Sequence, residues 1–257
     1  MKKKILMFLA GATCSLLLSG QAMAHYGMII PSDQTITKGD DKTITLDLRF
    51  WHPMEGIPMN LEKPEHFDVY ANGKKTDLLG TLQSKMNKNK QTWVTDYKIK
   101  RPGLYVFAMT PKPYWEPAED KFIIHYTKVA VAAFQDDEGW DKPVGLKTEI
   151  VPLSKPFAEY TGNIFQGTVL LNGKPAPNTD VEIEYYNQQG SYEAPDDFYV
   201  TQTIKTDANG VFSYAVPWAG WWGFAALNDS DTSIKYDGQD KDVELGAIYW
   251  VKFVDMK

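Results

Sequence analysis

The chain has 257 residues, with 27 Lys and Arg against 33 Asp and Glu, four His and one Cys. A formal charge of −6 gives no basic face for nucleic acid. Apolar residues at 43% and aromatics at 13% exclude a disordered chain, and a lone Cys excludes a disulfide framework or a Cys-based metal cluster.

The N-terminus has the three parts of a secretory signal in order. Lys2, Lys3 and Lys4 are a positive start, residues 5–18 are apolar, and Ala22-Met23-Ala24 is a small-x-small cleavage site. Residues 1–24 are therefore expected to be removed as a signal peptide. The apolar stretch is short for a membrane span of about 20 residues, and no second such run follows. The product is expected to be soluble, not membrane-spanning, and periplasmic. Cleavage removes 24 residues, three of them Lys and none acidic, which takes 257 residues at −6 to 233 at −9. It also removes the only Cys and makes His25 the first residue.

The rest reads as all-β. Residues 43–50 alternate, with Ile44, Leu46, Leu48 and Phe50 on one face. Further strands are expected at 66–70 before an Asn72-Gly73 turn, at 93–99, at 104–109 and at 122–134. Short strands separated by Gly, Pro and Asn turns argue for an Ig-like sandwich. A proline-rich stretch at 143–156 suggests a boundary, giving a metal-binding β-sandwich domain over 25–153 and a second β-sandwich over 154–257. In the second, strands are expected at 167–171, 181–185, 203–206 and 211–216. Their order, with the Asn172-Gly173-Lys174-Pro175 and Asp207-Ala208-Asn209-Gly210 turns, resembles a carboxypeptidase-regulatory-like or transthyretin-like module over residues 160–226. Trp218, Trp221 and Trp222 fit either a sugar-stacking platform or a plug for the core.

All four histidines lie in the first half. A mature N-terminal His25 offers an α-amine and an imidazole to one metal ion, and a second His completes a histidine brace. His52 continues the inward face of 43–50. His125 shares a face with Ile123, Val129 and Val131. Together these make a three-imidazole site, while His66 reads as surface. Nitrogen ligands without thiolate suit Ni²⁺, Co²⁺, Cu²⁺ or Zn²⁺. Met54 and Met59 near His52, and Glu116 and Asp120 ahead of His125, are candidates for a further ligand or an acceptor for an imidazole N–H; core packing and a solvated loop are their ordinary alternatives.

Several segments carry a family resemblance: His25-Tyr26-Gly27, Phe50-Trp51-His52-Pro53-Met54-Glu55-Gly56, Tyr114-Trp115-Glu116-Pro117-Ala118-Glu119-Asp120, the run around His125, and Glu149-Ile150-Val151-Pro152-Leu153. The chain resembles the periplasmic component that accompanies cobalt and nickel uptake transporters of the energy-coupling-factor type. That resemblance implies a carrier, not an enzyme. It would capture Ni²⁺ or Co²⁺ through His25, His52 and His125 and pass it to a membrane permease. A copper histidine-brace protein, either a carrier or an enzyme similar to polysaccharide monooxygenases, and a structural two-sandwich protein remain the alternatives.

Overall fold

The computed structural model describes residues 24–256. The leader assigned to residues 1–24 lies outside them, apart from Ala24. Strands make up nearly all the regular structure, and the only helical elements among the described residues are the single turns Leu79–Thr81 and Asp197–Tyr199.

Three sheets carry the architecture. A five-stranded sheet contains Tyr26–Pro31, Thr43–His52 and Lys90–Lys98; a four-stranded sheet contains Thr148–Pro152 and Ile164–Leu171. Between them runs an eleven-stranded sheet that crosses both halves of the chain. Its centre is a parallel pairing of Lys121–Ala133 with Val243–Val254, flanked by Gly103–Thr110 on one side and Gly220–Asp229 and Asp180–Tyr185 on the other.

Alternation along these strands builds two cores, because successive side chains point to opposite faces. Val129, Val131, Phe107, Ala225 and Trp250 face the five-stranded sheet. Ala130, Ala132, Val106, Phe224 and Tyr249 face the other way, onto Ile150, Phe165 and Val169. The two sandwiches thus share one sheet. The boundary at 153/154 follows directly on Thr148–Pro152, which is buried on both faces and pairs with Ile164–Leu171.

Turn chemistry behaves as the sequence implies. Asn72-Gly73 and Asn172-Gly173 take positive φ at both positions (51° and 70°; 51° and 72°), the geometry that closes two-residue hairpins. Strand Thr43–His52 buries Ile44, Leu46, Leu48, Phe50 and His52 on one face and runs two residues beyond the expected end. In His66–Ala71 the exposed His66 precedes buried Phe67 and Val69.

Candidate metal centre

The N-terminal strand is fixed before any ligand is considered. Tyr26 pairs with Trp51, which brings the preceding residue, His25, alongside His52. Tyr26 is fully buried with its ring edge-on to Trp250, whose indole Nε1 donates to the Gly27 carbonyl at 2.9 Å. A Cβ at Gly27 would lie 2.4 Å from Thr127 Oγ1, so only glycine lets this strand lie on the strand carrying His125.

The His25 and His52 ring centroids are 4.5 Å apart. Glu116 Oε2 lies 2.9 Å from His25 Nε2, and its other oxygen accepts from the Ala118 N–H at 2.9 Å, which fixes the carboxylate. A carboxylate on Nε2 holds the imidazole proton there and leaves the lone pair on Nδ1. Nδ1 is the ring nitrogen that forms a chelate with the α-nitrogen of the same residue. His52 Nδ1 is 2.9 Å from the carbonyl oxygen of Ala24. The peptide group joining Ala24 to His25 therefore sits within hydrogen-bond reach of the second imidazole.

His125 stands slightly apart. Phe50 packs between it and His25, with centroids 5.7 Å from His25 and 5.8 Å from His125. The His125 side chain is 2% exposed, and neither ring nitrogen has a hydrogen-bond partner. Its nearest carboxylate oxygen, Glu244 Oε1, is 3.6 Å from Nε2, beyond hydrogen-bond length. A Cβ at Gly246 would fall 2.3 Å from His125 Cδ2, so this glycine makes room for the ring. His25 and His125 both line a cavity of about 130 Å³ with Glu119, Lys121, Glu182 and Glu244.

Burial favours neutral rings at His25 and His52. Burial lowers the His25 pKa and His125 lowers it further, against the pull of Glu116. Burial and His25 bring His52 down to about 4, opposed by its bond to the Ala24 carbonyl. Burial opposes ionisation of Glu244, yet His125 and Lys121 outweigh it and hold that carboxyl at about 2. Glu182 goes the other way, to about 7, through burial and then Glu244 and Glu119. Unprotonated nitrogens are what a metal requires.

Among the described residues, no three His, Cys, Asp or Glu side chains are spaced to hold one ion. The structure brings together His25, His52 and Glu116, with His125 across Phe50. It does not bring in the other candidates. Asp120 is 71% exposed and paired with Lys241 at 2.7 Å. Met59 pairs with Phe50 and packs on the first core, and Met54 lines an aromatic cavity formed largely by the second half. Glu182 and Glu244 escaped sequence reasoning because they arrive on strands from the far half of the chain, and no local pattern marks them.

Fold and site define an all-β protein of stacked sheets that buries a histidine pair at the start of its first strand. A match to the DUF4198 family, a domain of unknown function, runs over residues 22–230, and the chain belongs to that family. Solved structures that resemble it include the adhesin InvE of Yersinia pseudotuberculosis (13% identity, 86% of this chain and 58% of that one, TM-score 0.22). A bacterial ice-binding adhesin gives 14% identity over 91% of this chain and 65% of that one, with a TM-score of 0.23. Fibronectin(III)-like modules of Clostridium thermocellum CbhA give 8% identity, 86% and 95%, and a TM-score of 0.20. The chain spans less than two thirds of the two adhesin structures. No curated protein matches it.

Proposed function

We propose that the protein is exported to the periplasm, loses residues 1–24, and then binds a divalent transition metal, Ni²⁺ or Co²⁺, as cargo for a membrane permease. The observation that carries this reading is the 2.9 Å approach of His52 Nδ1 to the Ala24 carbonyl. Cleavage at that peptide removes the acceptor on His52 and creates an α-amine on His25, beside a ring whose Nδ1 already has its lone pair. The donor set becomes one amine and two imidazoles, with Glu116 orienting His25 and His125 as the further imidazole. The carboxylates of Glu119, Glu182 and Glu244 supply a negative surround for a cation. In this reading the role is carriage, with the metal as cargo.

The test compares a chain beginning at His25 with one beginning at Ala24. Ligands that bind only the folded state raise stability by about 2.7 kcal/mol at 100 times Kd, which for a chain of this size is roughly 5–10 °C in Tm. Ni²⁺ and Co²⁺ are expected to give that shift with the His25 chain, and little with the Ala24 chain or with His25→Ala. Equal shifts in all three proteins would eliminate the brace. Cu²⁺ and Zn²⁺ belong in the same series. Cu²⁺ binds such nitrogen sites more tightly than Ni²⁺ or Co²⁺ on intrinsic grounds, so cargo is assigned from the metal recovered with protein processed in the cell.

A further inference from the structure

A cavity of about 450 Å³, within the usual range of roughly 300–1,000 Å³ for small-molecule sites, lies away from the histidines. Six rings line it: Tyr185, Tyr192, Tyr199, Tyr214, Trp218 and Trp222. The wall is built before any ligand arrives. Trp222 Nε1 donates to the Trp218 carbonyl at 3.0 Å, and Tyr192 stacks on Trp218 at 5.6 Å and 13°. Tyr192 is itself held by Asn187, whose amide donates to the Tyr192 carbonyl at 2.7 Å and to the Met54 carbonyl at 3.1 Å. The loop is thereby fastened to the first half of the chain.

This wall has apolar faces and unused polar edges. Trp218 Nε1 is buried with no hydrogen-bond partner. None of the four tyrosine hydroxyls takes part in a hydrogen bond among the described residues. Glu193 and Gln202 add a carboxylate and an amide to the lining. An aliphatic ligand would leave the buried Trp218 Nε1 unmatched and cover the tyrosine hydroxyls without bonding them, at a cost in desolvation. A cation would need rings arranged around it, but here neighbouring rings touch, with Trp218–Trp222 and Tyr185–Trp222 centroids at 5.0 and 5.4 Å. A pyranose fits both demands, because its C–H faces lie on aromatic rings while its hydroxyls take donors and acceptors around the edge. We propose that this cavity binds a sugar ring of a saccharide, independently of the metal centre.

The experiment titrates the chain beginning at His25 with cellobiose, maltose, N,N′-diacetylchitobiose and galactose, following tryptophan emission. A parallel arm measures co-sedimentation with cellulose, chitin and purified peptidoglycan. A saturable, millimolar response to at least one free sugar assigns a small saccharide. Co-sedimentation that a free sugar competes away assigns a polysaccharide. Tyr192→Ala is expected to weaken binding at least about ten-fold, and Trp218→Ala to abolish it. Tyr192 sits on a loop and is 47% exposed, so its removal leaves the fold intact and keeps the test readable if Trp218→Ala does not fold. No response to any sugar or polymer overturns the proposal, as does unchanged binding by Tyr192→Ala. Emission that follows protein concentration alone and is lost in Phe198→Ala also overturns it, because Phe198 is 91% exposed beside the cavity and would then be occupying it in a second copy.

Discussion

Two buried ionisable side chains lie three residues apart on the strand Lys121–Ala133 and face opposite sides of the central sheet. Lys128 is fully matched. Its ammonium is 2.6 Å from Glu149 Oε2 and lies over the Tyr249 ring at 5.5 Å, and Glu149 also accepts from the backbone N–H groups of Val144 and Gly145. His125, buried to the same degree, has no hydrogen bond on either nitrogen, and its ion-pair contact with Glu244 Oε1 is long, at 3.6 Å. Burial of a polar group is tolerated when its bonding is complete, and an incomplete group calls for an explanation outside the fold. The first residue reads as architecture, and the second is the further imidazole of the proposed metal centre.

The contrast breaks most visibly at the matched pair. Removing one member of a buried ion pair costs about 3–5 kcal/mol, because the other charge is stranded. Glu149→Ala is expected to cost that much in urea unfolding, since it strands Lys128 and frees two backbone donors. Burial already lowers the Lys128 pKa, so the variant is expected to be worst where Lys128 is charged and to recover at high pH. The double variant Lys128→Met/Glu149→Leu is expected to regain the part of the loss that comes from stranding Lys128, while the two backbone donors stay free. A loss in Glu149→Ala no larger than in the double variant would show that the pair is not architectural.

Legibility followed the same division. Strands with one wet face, such as Thr43–His52, were readable from alternation, and His52 fell on the buried face as that pattern implied. Thr148–Pro152 lies within the proline-rich stretch that suggests a boundary, because all five of its residues are buried and no alternation marks it as a strand. Val243–Val254 and Gly220–Asp229 were missed for the same reason. At the site, His25, His52 and Glu116 were legible because local rules place them: a cleavage motif, a strand face and an acidic turn. Glu182 and Glu244 were not, since Glu244 arrives through the parallel pairing of Lys121–Ala133 with Val243–Val254 and Glu182 through the antiparallel pairings of Asp180–Tyr185 and Gly220–Asp229 beyond it. Asp120 shows the limit of proximity in sequence, because a left-handed turn at φ 54° sends its carboxylate to Lys241.

A second test uses a buried carboxyl on the histidine side of the sheet. Burial lifts Glu184 to about 8, despite hydrogen bonds from Thr201 and the Met54 N–H, with Glu182 and Glu55 adding to the rise. Between the ordinary value of 4.5 and about 8, the folded protein keeps a proton that the unfolded chain has released. Stability is therefore full below pH 4.5 as far as this group is concerned, and falls as pH rises toward 8. The slope for one such proton is roughly 1 kcal/mol per pH unit. Urea unfolding of the metal-free protein and of Glu184→Gln at pH 5, 6, 7 and 8 is expected to show this decline as the difference between the two, since Glu182 adds a like fall up to about 7 and His25 and His52 an opposing rise at the acid end. A decline of the same slope in Glu184→Gln would assign it to another group.

The smallest effect is the most discriminating. If His125 is an unmet donor and acceptor, replacing it with an apolar side chain of similar size removes a liability of about 1–3 kcal/mol and adds a repacking cost below about 1.5 kcal/mol. His125→Leu is then expected to leave the metal-free protein as stable as the parent, or to raise Tm by about 2–4 °C. This is the opposite of what removing one member of the Lys128–Glu149 pair does. In the presence of Ni²⁺ or Co²⁺ the order should invert, because the parent gains stability from a ligand that the variant holds less well. Differential scanning calorimetry of both proteins, with metal and with chelator, reads the two signs directly. A fall of several degrees in the metal-free variant would mean that His125 is as much a part of the architecture as Lys128. A metal-induced rise equal to the parent's would mean that the third imidazole lies outside the site and that His25 and His52 bind without it.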